Sequence, residues 1–183
     1  MAAAALENQG LDSTRDDFWT TTQNGVDTFA YLKDYTTQQL VRLKVEQQCA
    51  KKQGVDTPLY YSDQLEAWHE QNRQRASAYA AGEVLYGPVE RDFIAYFQEW
   101  YLEMEQQSMT ALYENGTLSV SVSEVETVYK ENEALYAEYT REQALYIIRG
   151  ELLEKAYEAY IDTLAAKAVI KEGEAQIRPE EVF

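Results

Sequence analysis

The stretch DTFAYLKDYTTQQLVRLKVEQQCAKKQG, residues 27–54, decides the fold class that the sequence predicts. Its apolar residues recur at intervals close to three and four, which is the period of an amphipathic α-helix. Lys51 and Lys52 stand in the last predicted turn, where positive charge complements the helix dipole, and Gly54 ends the helix. A helix of this length indicates a protein built from long helices.

Further helical signals lie on both sides of this segment. Ser13 is predicted to cap a short helix that ends at the Asn-Gly pair of residues 24–25. The Thr-Pro pair at residues 57–58 is predicted to begin the next helix, with threonine as N-cap and proline in the first turn. A turn at residues 86–88 leads to a second long helix, which ends at the Asn-Gly pair of residues 115–116.

Two capping boxes of the type S/T-x-x-E/Q open the last predicted helices. Ser121 pairs with Glu124 in the first box, and Thr140 pairs with Gln143 in the second. Strands do not alternate with helices as they would in an α/β enzyme. The sequence therefore predicts an all-α fold in which long helices from the N- and C-terminal halves pack into an elongated module.

The composition supports a folded chain with loose ends. The 183 residues are 45% apolar, which is enough for a core without disulfides or metals. Residues 1–11 are predicted to be a flexible N-terminus and residues 172–183 a flexible C-terminal tail. The helical domain is predicted to occupy residues 12–171.

The charge balance restricts the partners that the chain is expected to bind. A formal net charge of −16 repels phosphate backbones and anionic membranes, so neither nucleic acid nor a lipid surface is an expected partner. No stretch approaches the roughly 20 apolar residues of a membrane span. Membrane attachment is expected only through a lipid anchor that this chain does not contain.

The search for catalytic or metal-binding residues finds no complete motif. Glu66 and His69 form an E-x-x-H pair, but di-iron bundles need two such pairs, and the chain has a single histidine. Cys49 is also single and is interpreted as a small buried residue on a helix. Glu99 and Glu103, at i, i+4 spacing, are interpreted as a solvated helix face. We expect no catalytic residues, no metal and no cofactor, with a metal-dependent helical enzyme kept as an alternative.

Aromatic residues provide the strongest hint of function. The chain contains 15 Tyr, 3 Trp and 5 Phe, more than a plain helical bundle needs. Around residues 93–104 they surround almost the whole predicted helix, which indicates either a central core helix or an exposed adhesive face. For a peptide-binding groove on that face, the predicted contact residues are Tyr96, Trp100, Tyr101 and Met104.

The order of these motifs resembles the chaperone modules of SurA, PrsA and trigger factor. In those modules a long helix ends in Ala-x-x-x-Gly-(Ile/Val), and a Ser or Thr caps the next helix. Residues 31–53 are similar to that helix, with Ala50, Gly54 and Val55 in the motif and Thr57 as the cap.

Two later segments extend the resemblance to roughly residues 27–170. Residues 120–132 are similar to the segment that precedes the parvulin domain in SurA and PrsA. Residues 157–170 are similar to the C-terminal helix that follows parvulin and completes the module. Only a few residues occupy the parvulin position, near residues 138–141, so prolyl isomerase activity is not implied.

The resemblance implies an ATP-independent chaperone that binds unfolded or extended polypeptides. It also implies an extracytoplasmic location, as a secreted protein or as a lipoprotein whose signal this chain lacks. The alternative is a structural or adaptor protein that docks one folded partner through its helices. The sequence leaves the oligomeric state open.

Overall fold

A computed structural model describes residues 2–169. They are mostly helical, and the helices and strands are α1 (Ala2–Glu7), β1 (Thr22–Gln23), β2 (Val26–Asp27), α2 (Thr28–Lys52), α3 (Tyr61–Ala80), α4 (Phe93–Glu114), α5 (Val122–Glu131) and α6 (Arg141–Ala165). Short 3₁₀ turns cover Phe18–Thr20 and Glu133–Tyr136. The all-α prediction is therefore confirmed apart from one two-stranded hairpin. None of the described helices combines the length and apolarity that crossing a membrane requires.

The chain divides into two compact units. Of the described residues, the first contains 2–43 together with 165–169, and the second is Lys44–Leu164. The helical domain predicted for residues 12–171 includes residues of both units. The predicted tail, residues 172–183, lies outside the described residues.

A β-hairpin in the first unit replaces a predicted helix end. Asn24 and Gly25 connect β1 to β2, with φ angles of 50° and 81°. Positive φ at both central residues is the requirement of a type I′ turn, for which Asn-Gly is the preferred pair. The prediction that this pair ends a helix capped by Ser13 was wrong, because Asn-Gly suits both a helix stop and a tight hairpin.

The N-terminal segment contributes to the core of the first unit. Leu6 is fully buried, and Leu11 and Phe18 are buried with it. The flexibility expected of residues 1–11 stays a prediction; within them, residues 2–7 form a helix. We attribute this to Leu6, whose burial in an apolar cluster offsets the entropy lost when the segment is ordered.

Both predicted capping boxes are present in the second unit. The Glu124 N–H donates to Ser121 Oγ at 3.2 Å, and the Ser121 N–H donates to Glu124 Oε2 at 2.8 Å. The Gln143 N–H donates to Thr140 Oγ1 at 3.2 Å, and the Thr140 N–H donates to Gln143 Oε1 at 2.9 Å. Each box satisfies N–H groups that the first turn of its helix leaves without intrahelical partners.

The predicted start of α3 was wrong by three residues. Thr57 is buried and caps no helix, and α3 begins at Tyr61. The preceding carbonyls are taken by side chains of α2: Lys44 donates to the Leu59 carbonyl, and Gln47 Nε2 donates to the Pro58 carbonyl at 3.0 Å. These bonds hold the backbone away from helical geometry, so the helix starts only after the segment has left α2.

The core of the second unit lies where α2, α4 and α6 meet. Its buried side chains are Cys49, Leu112, Leu118, Tyr157 and Ile161. A smaller cluster lies nearer the start of α4, where Met104 packs against Ala50 and Val55. α4 thus has one face fixed against the core, and its remaining surface is positioned toward α3 and solvent.

Candidate functional site

Three side chains of α3 hold the connection that leads into α4. Trp68 Nε1 and Asn72 Nδ2 both donate to the Arg91 carbonyl, at 2.8 and 2.9 Å, and the Arg91 N–H donates to Asn72 Oδ1 at 3.0 Å. Arg75 donates through Nη2 to the Pro88 carbonyl at 2.6 Å. Because these side chains of α3 satisfy backbone N–H and carbonyl groups of the connection, the first turn of α4 is held beside α3.

An aromatic cluster fills the junction of α3 and α4. The ring of Phe93 lies 5.7 Å from Trp68 and 5.8 Å from Tyr61, both edge to face, and 6.0 Å from Phe97. Phe97 in turn lies 5.3 Å from Trp100. Such aromatic pairs each contribute about 0.5–1.5 kcal/mol beyond the area that they bury. The cluster therefore forms an aromatic platform at this junction.

Two open concavities flank the platform, and they share three lining residues, Ala67, Tyr96 and Trp100. One, the Glu103 concavity, has a volume of about 540 Å³ and is completed by Glu70, Gln71, Gln74, Arg91, Glu99 and Glu103. The other, the Pro58 concavity, has a volume of about 440 Å³ and is completed by Lys51, residues 56–60 and Asp63. Trp100 thus stands in the wall between two adjacent depressions.

The two concavities are negatively charged overall. Their walls contain five carboxylates and two cations, and one of those cations, Arg91, is ion-paired with Glu99. Hydrogen bonds from Arg73, and then from Gln74, lower the pKa of the Glu70 carboxyl, so this group stays ionised at neutral pH. The site combines aromatic surface with uncompensated negative charge.

The four predicted contact residues separate onto two faces of α4. Tyr96 and Trp100, four residues apart, face α3 and line both concavities. Tyr101 and Met104, three residues apart, face α2 instead: the Tyr101 hydroxyl donates to Glu46 Oε2 at 2.6 Å, and Met104 is only 2% exposed. Met104 is therefore an interior residue, and Tyr101 is partly buried against α2. Tyr96 is itself only 5% exposed, so Trp100, whose ring is partly buried, carries the proposed contact surface.

Several residues of the concavities were not identified from the sequence. Glu99 and Glu103 were interpreted as a solvated helix face, yet both line the Glu103 concavity. The residues from 57 onward were interpreted as a helix start, yet residues 56–60 are not helical and form a wall of the Pro58 concavity. The i, i+4 spacing of Glu99 and Glu103 and the presence of Pro58 are visible in the sequence. That these residues line concavities depends on the packing of α3 beside α4, which the sequence pattern does not show.

The residues considered for chemistry do not form a reactive group. His69 is exposed and lies against the Trp68 ring, with 4.4 Å between ring centres. Cys49 is buried, and burial raises the pKa of its thiol, which keeps it protonated and a poor nucleophile. Within residues 2–169, no group of three or more His, Cys, Asp or Glu side chains is placed to hold a metal ion.

Two buried hydroxyls interrupt the core of the second unit. Tyr157 is 1% exposed and Ser108 is fully buried, and in the described part of the chain neither hydroxyl has a regular hydrogen-bond partner. Burial raises the pKa of the Tyr157 phenol well above its ordinary value of 10.0, although the nearby Ser108 hydroxyl opposes part of the rise. Folding therefore favours the protonated phenol.

This raised pKa predicts a loss of stability at alkaline pH. Below the ordinary pKa of 10.0 the phenol is protonated in both states and its contribution is complete. As pH rises further, only the unfolded state ionises, and stability falls by up to about 1.4 kcal/mol per pH unit. Tyr157→Phe is expected to remove this part of the decline in stability. Urea unfolding between about pH 8 and about pH 11, a range that includes the ordinary tyrosine pKa of 10.0, measures it.

The control for this experiment is Tyr146→Phe, because Tyr146 belongs to the same helix but is 82% exposed. Its stability is expected to decline with pH as in the parent protein. Equal slopes for the parent protein and Tyr157→Phe would contradict the argument.

Comparison with known proteins adds no relative to these observations. The chain has no significant match among protein-family models, curated protein sequences or solved structures. The resemblance to the SurA, PrsA and trigger-factor modules rests on the sequence motifs, and function is argued from the site.

Proposed function

We propose that this protein binds unfolded or extended polypeptides, without ATP, on the surface formed by α3 and α4. The observation that carries the proposal is Trp100, whose partly buried ring separates two open concavities at an aromatic platform. Aromatic side chains supply large contact areas at low entropic cost, and they dominate the energy of many peptide interfaces. Both concavities are open to solvent and share three lining residues, so an extended client could reach from one to the other.

Exposed apolar side chains around the platform support the same function. Tyr60 and Tyr61 at the start of α3 are 70% and 67% exposed, and Ile94 at the start of α4 is 69% exposed. Exposed apolar side chains that lie near one another mark interaction surfaces. We propose that these residues extend the client surface beyond the two concavities.

The motif resemblance adds the cellular setting to the proposal. We propose a SurA/PrsA-like helical module that lacks the parvulin domain and acts outside the cytoplasm, as a secreted protein or a lipoprotein. It would act as a holdase without isomerase activity. The acidic surface would keep the loaded chaperone soluble and favour clients with basic segments.

The first test is suppression of client aggregation. A chemically unfolded client is diluted into buffer with and without a near-equimolar amount of the protein, in the absence of ATP, and light scattering is followed. We expect scattering to fall, and to fall most for a basic client. Unchanged scattering for acidic, neutral and basic clients would reject the proposal.

A second candidate function, docking of one folded partner, is favoured by a different surface. Leu135 is 75% exposed, Tyr139 50% and Tyr146 82%, and the last two line an open concavity at the start of α6. A partner that docks there would be bound equally well after Trp100→Ala. Stoichiometric capture of one folded protein, without aggregation suppression, would establish this alternative.

A further inference from the structure

The two concavities beside Trp100 differ in chemistry. The Pro58 concavity presents Pro58, Leu59 and the ring of Tyr60, with Lys51, Asp56 and Asp63 around them. The Glu103 concavity presents carboxylates and amides. A client that crosses Trp100 therefore passes from a wall that mixes apolar and charged side chains to one that is acidic and lacks aliphatic side chains larger than Ala67.

Glu103 is the carboxylate of this wall that is available to a client cation. Glu99 is ion-paired with Arg91, and Glu70 is ion-paired with Arg73 at 2.6 Å. Glu103 Oε1 accepts a hydrogen bond at 3.1 Å from Gln107 Nε2, which is neutral. Since its neighbours are already compensated, the negative charge of Glu103 is the part of this wall that an incoming cation would neutralise.

The position of Glu103 places this charge close to the aromatic wall. It follows Trp100 by three residues on α4, so both side chains are neighbours on one helix face. A Lys or Arg side chain entering the concavity would meet the carboxylate and the indole together. A cation over an indole gains about 0.5–1 kcal/mol at exposed sites, in addition to the ion pair.

We infer that the site selects clients by a two-part motif, an apolar or aromatic side chain with a Lys or Arg two residues away, because side chains of an extended chain alternate between its faces. The apolar side chain enters the Pro58 concavity, and the cation enters the Glu103 concavity. An extended chain advances about 3.3 Å per residue, so this separation lets the two side chains reach adjacent depressions that share the Trp100 wall. The inference rests on the proposed client-binding function and specifies which clients are preferred.

Three fluorescent peptides of equal length test this motif. The first has Phe and Lys two residues apart in a Gly/Ser background, the second has Gln in place of Lys, and the third has Ala in place of Phe. Exposed charge pairs and cation–π contacts of the sizes given above predict that the first binds about three to ten times more tightly than the second. The preference should shrink above about 0.15 M salt, where the Debye length falls below roughly 8 Å.

The variant Glu103→Gln tests whether Glu103 causes the preference for the Phe/Lys peptide. We expect this variant to lose most of the preference for the Phe/Lys peptide over the Phe/Gln peptide, leaving only the part that the indole contact supplies. The matched control is Glu114→Gln, which changes the same charge at the end of the same helix but in neither concavity. This control is expected to keep the full preference, as a double-mutant comparison requires.

The outcomes separate this inference from the proposed function. Aggregation suppression together with equal binding of the Phe/Lys and Phe/Gln peptides to the parent protein would overturn the motif and leave the chaperone proposal standing. A preference that is as large in Glu103→Gln as in the parent protein would also overturn it. If neither the peptides nor an unfolded client bind, the inference fails together with the proposed function.

Discussion

Leu112→Ala is expected to lower the free energy of unfolding by about 3 to 5 kcal/mol, the range for large-to-small changes at closed core sites. Leu112 is fully buried in α4, in the cluster that also contains Cys49, Tyr157 and Ile161. The cavity left by the substitution would be lined by α2, α4 and α6 together. Because three helices fix its walls, the site has little freedom to collapse, and the cost lies toward the upper end of the range.

The control for this core variant is Leu102→Ala, on the same helix but at a position that is 57% exposed. Its expected effect is within about 0.5 kcal/mol. Urea unfolding followed by tryptophan fluorescence measures both, since Trp68 and Trp100 report on the second unit. Similar changes for the two leucine variants would show that α4 is not anchored through Leu112.

Trp100→Ala is expected to weaken binding of a permanently unfolded client by about tenfold or more, as for a central aromatic residue of a binding surface. The ring lines both concavities, and it also packs against the cluster of Ala50, Val55 and Met104. A moderate loss of stability, about 1 to 2 kcal/mol, is therefore expected as well. Fluorescence anisotropy with a labelled client measures the affinity, and thermal unfolding measures the stability.

Met104→Ala separates these two effects. Met104 lies in the same cluster but is buried and faces α2, so its truncation should cost about 2 to 5 kcal/mol of stability. Its client affinity, measured where both variants are folded, should stay within about twofold of the parent protein. If Trp100→Ala melts the protein as strongly as Met104→Ala and leaves client binding intact, Trp100 is a core residue and the site assignment is wrong.

Helix ends were predictable from the sequence where the signals were short-range. Both capping boxes form as predicted, and α4 ends at the predicted Asn115. A capping box satisfies backbone groups with side chains three residues away, so its energy depends little on the rest of the chain. Such motifs can therefore be predicted from the sequence without knowledge of the tertiary structure.

Signals that fit two local structures were misread. Asn24-Gly25 suits both a helix stop and a type I′ turn, and the pairing of Val26 with Gln23 selects the turn. Thr57-Pro58 suits a helix start, but Gln47 of α2 binds the Pro58 carbonyl and keeps this segment extended. In the second case the deciding contact spans eleven residues, beyond the reach of a local pattern.

The sequence by itself determined that the chain is helical, that it is acidic, and that residues 93–104 form an aromatic helix, because periodicity, charge and composition are properties of the chain alone. It did not determine which face of that helix is free. Tertiary packing directs Tyr101 and Met104 toward α2 and leaves Tyr96 and Trp100 beside α3. A helix that is apolar all round has several faces that could be buried, and only the positions of its neighbours decide which of them becomes core and which becomes a site.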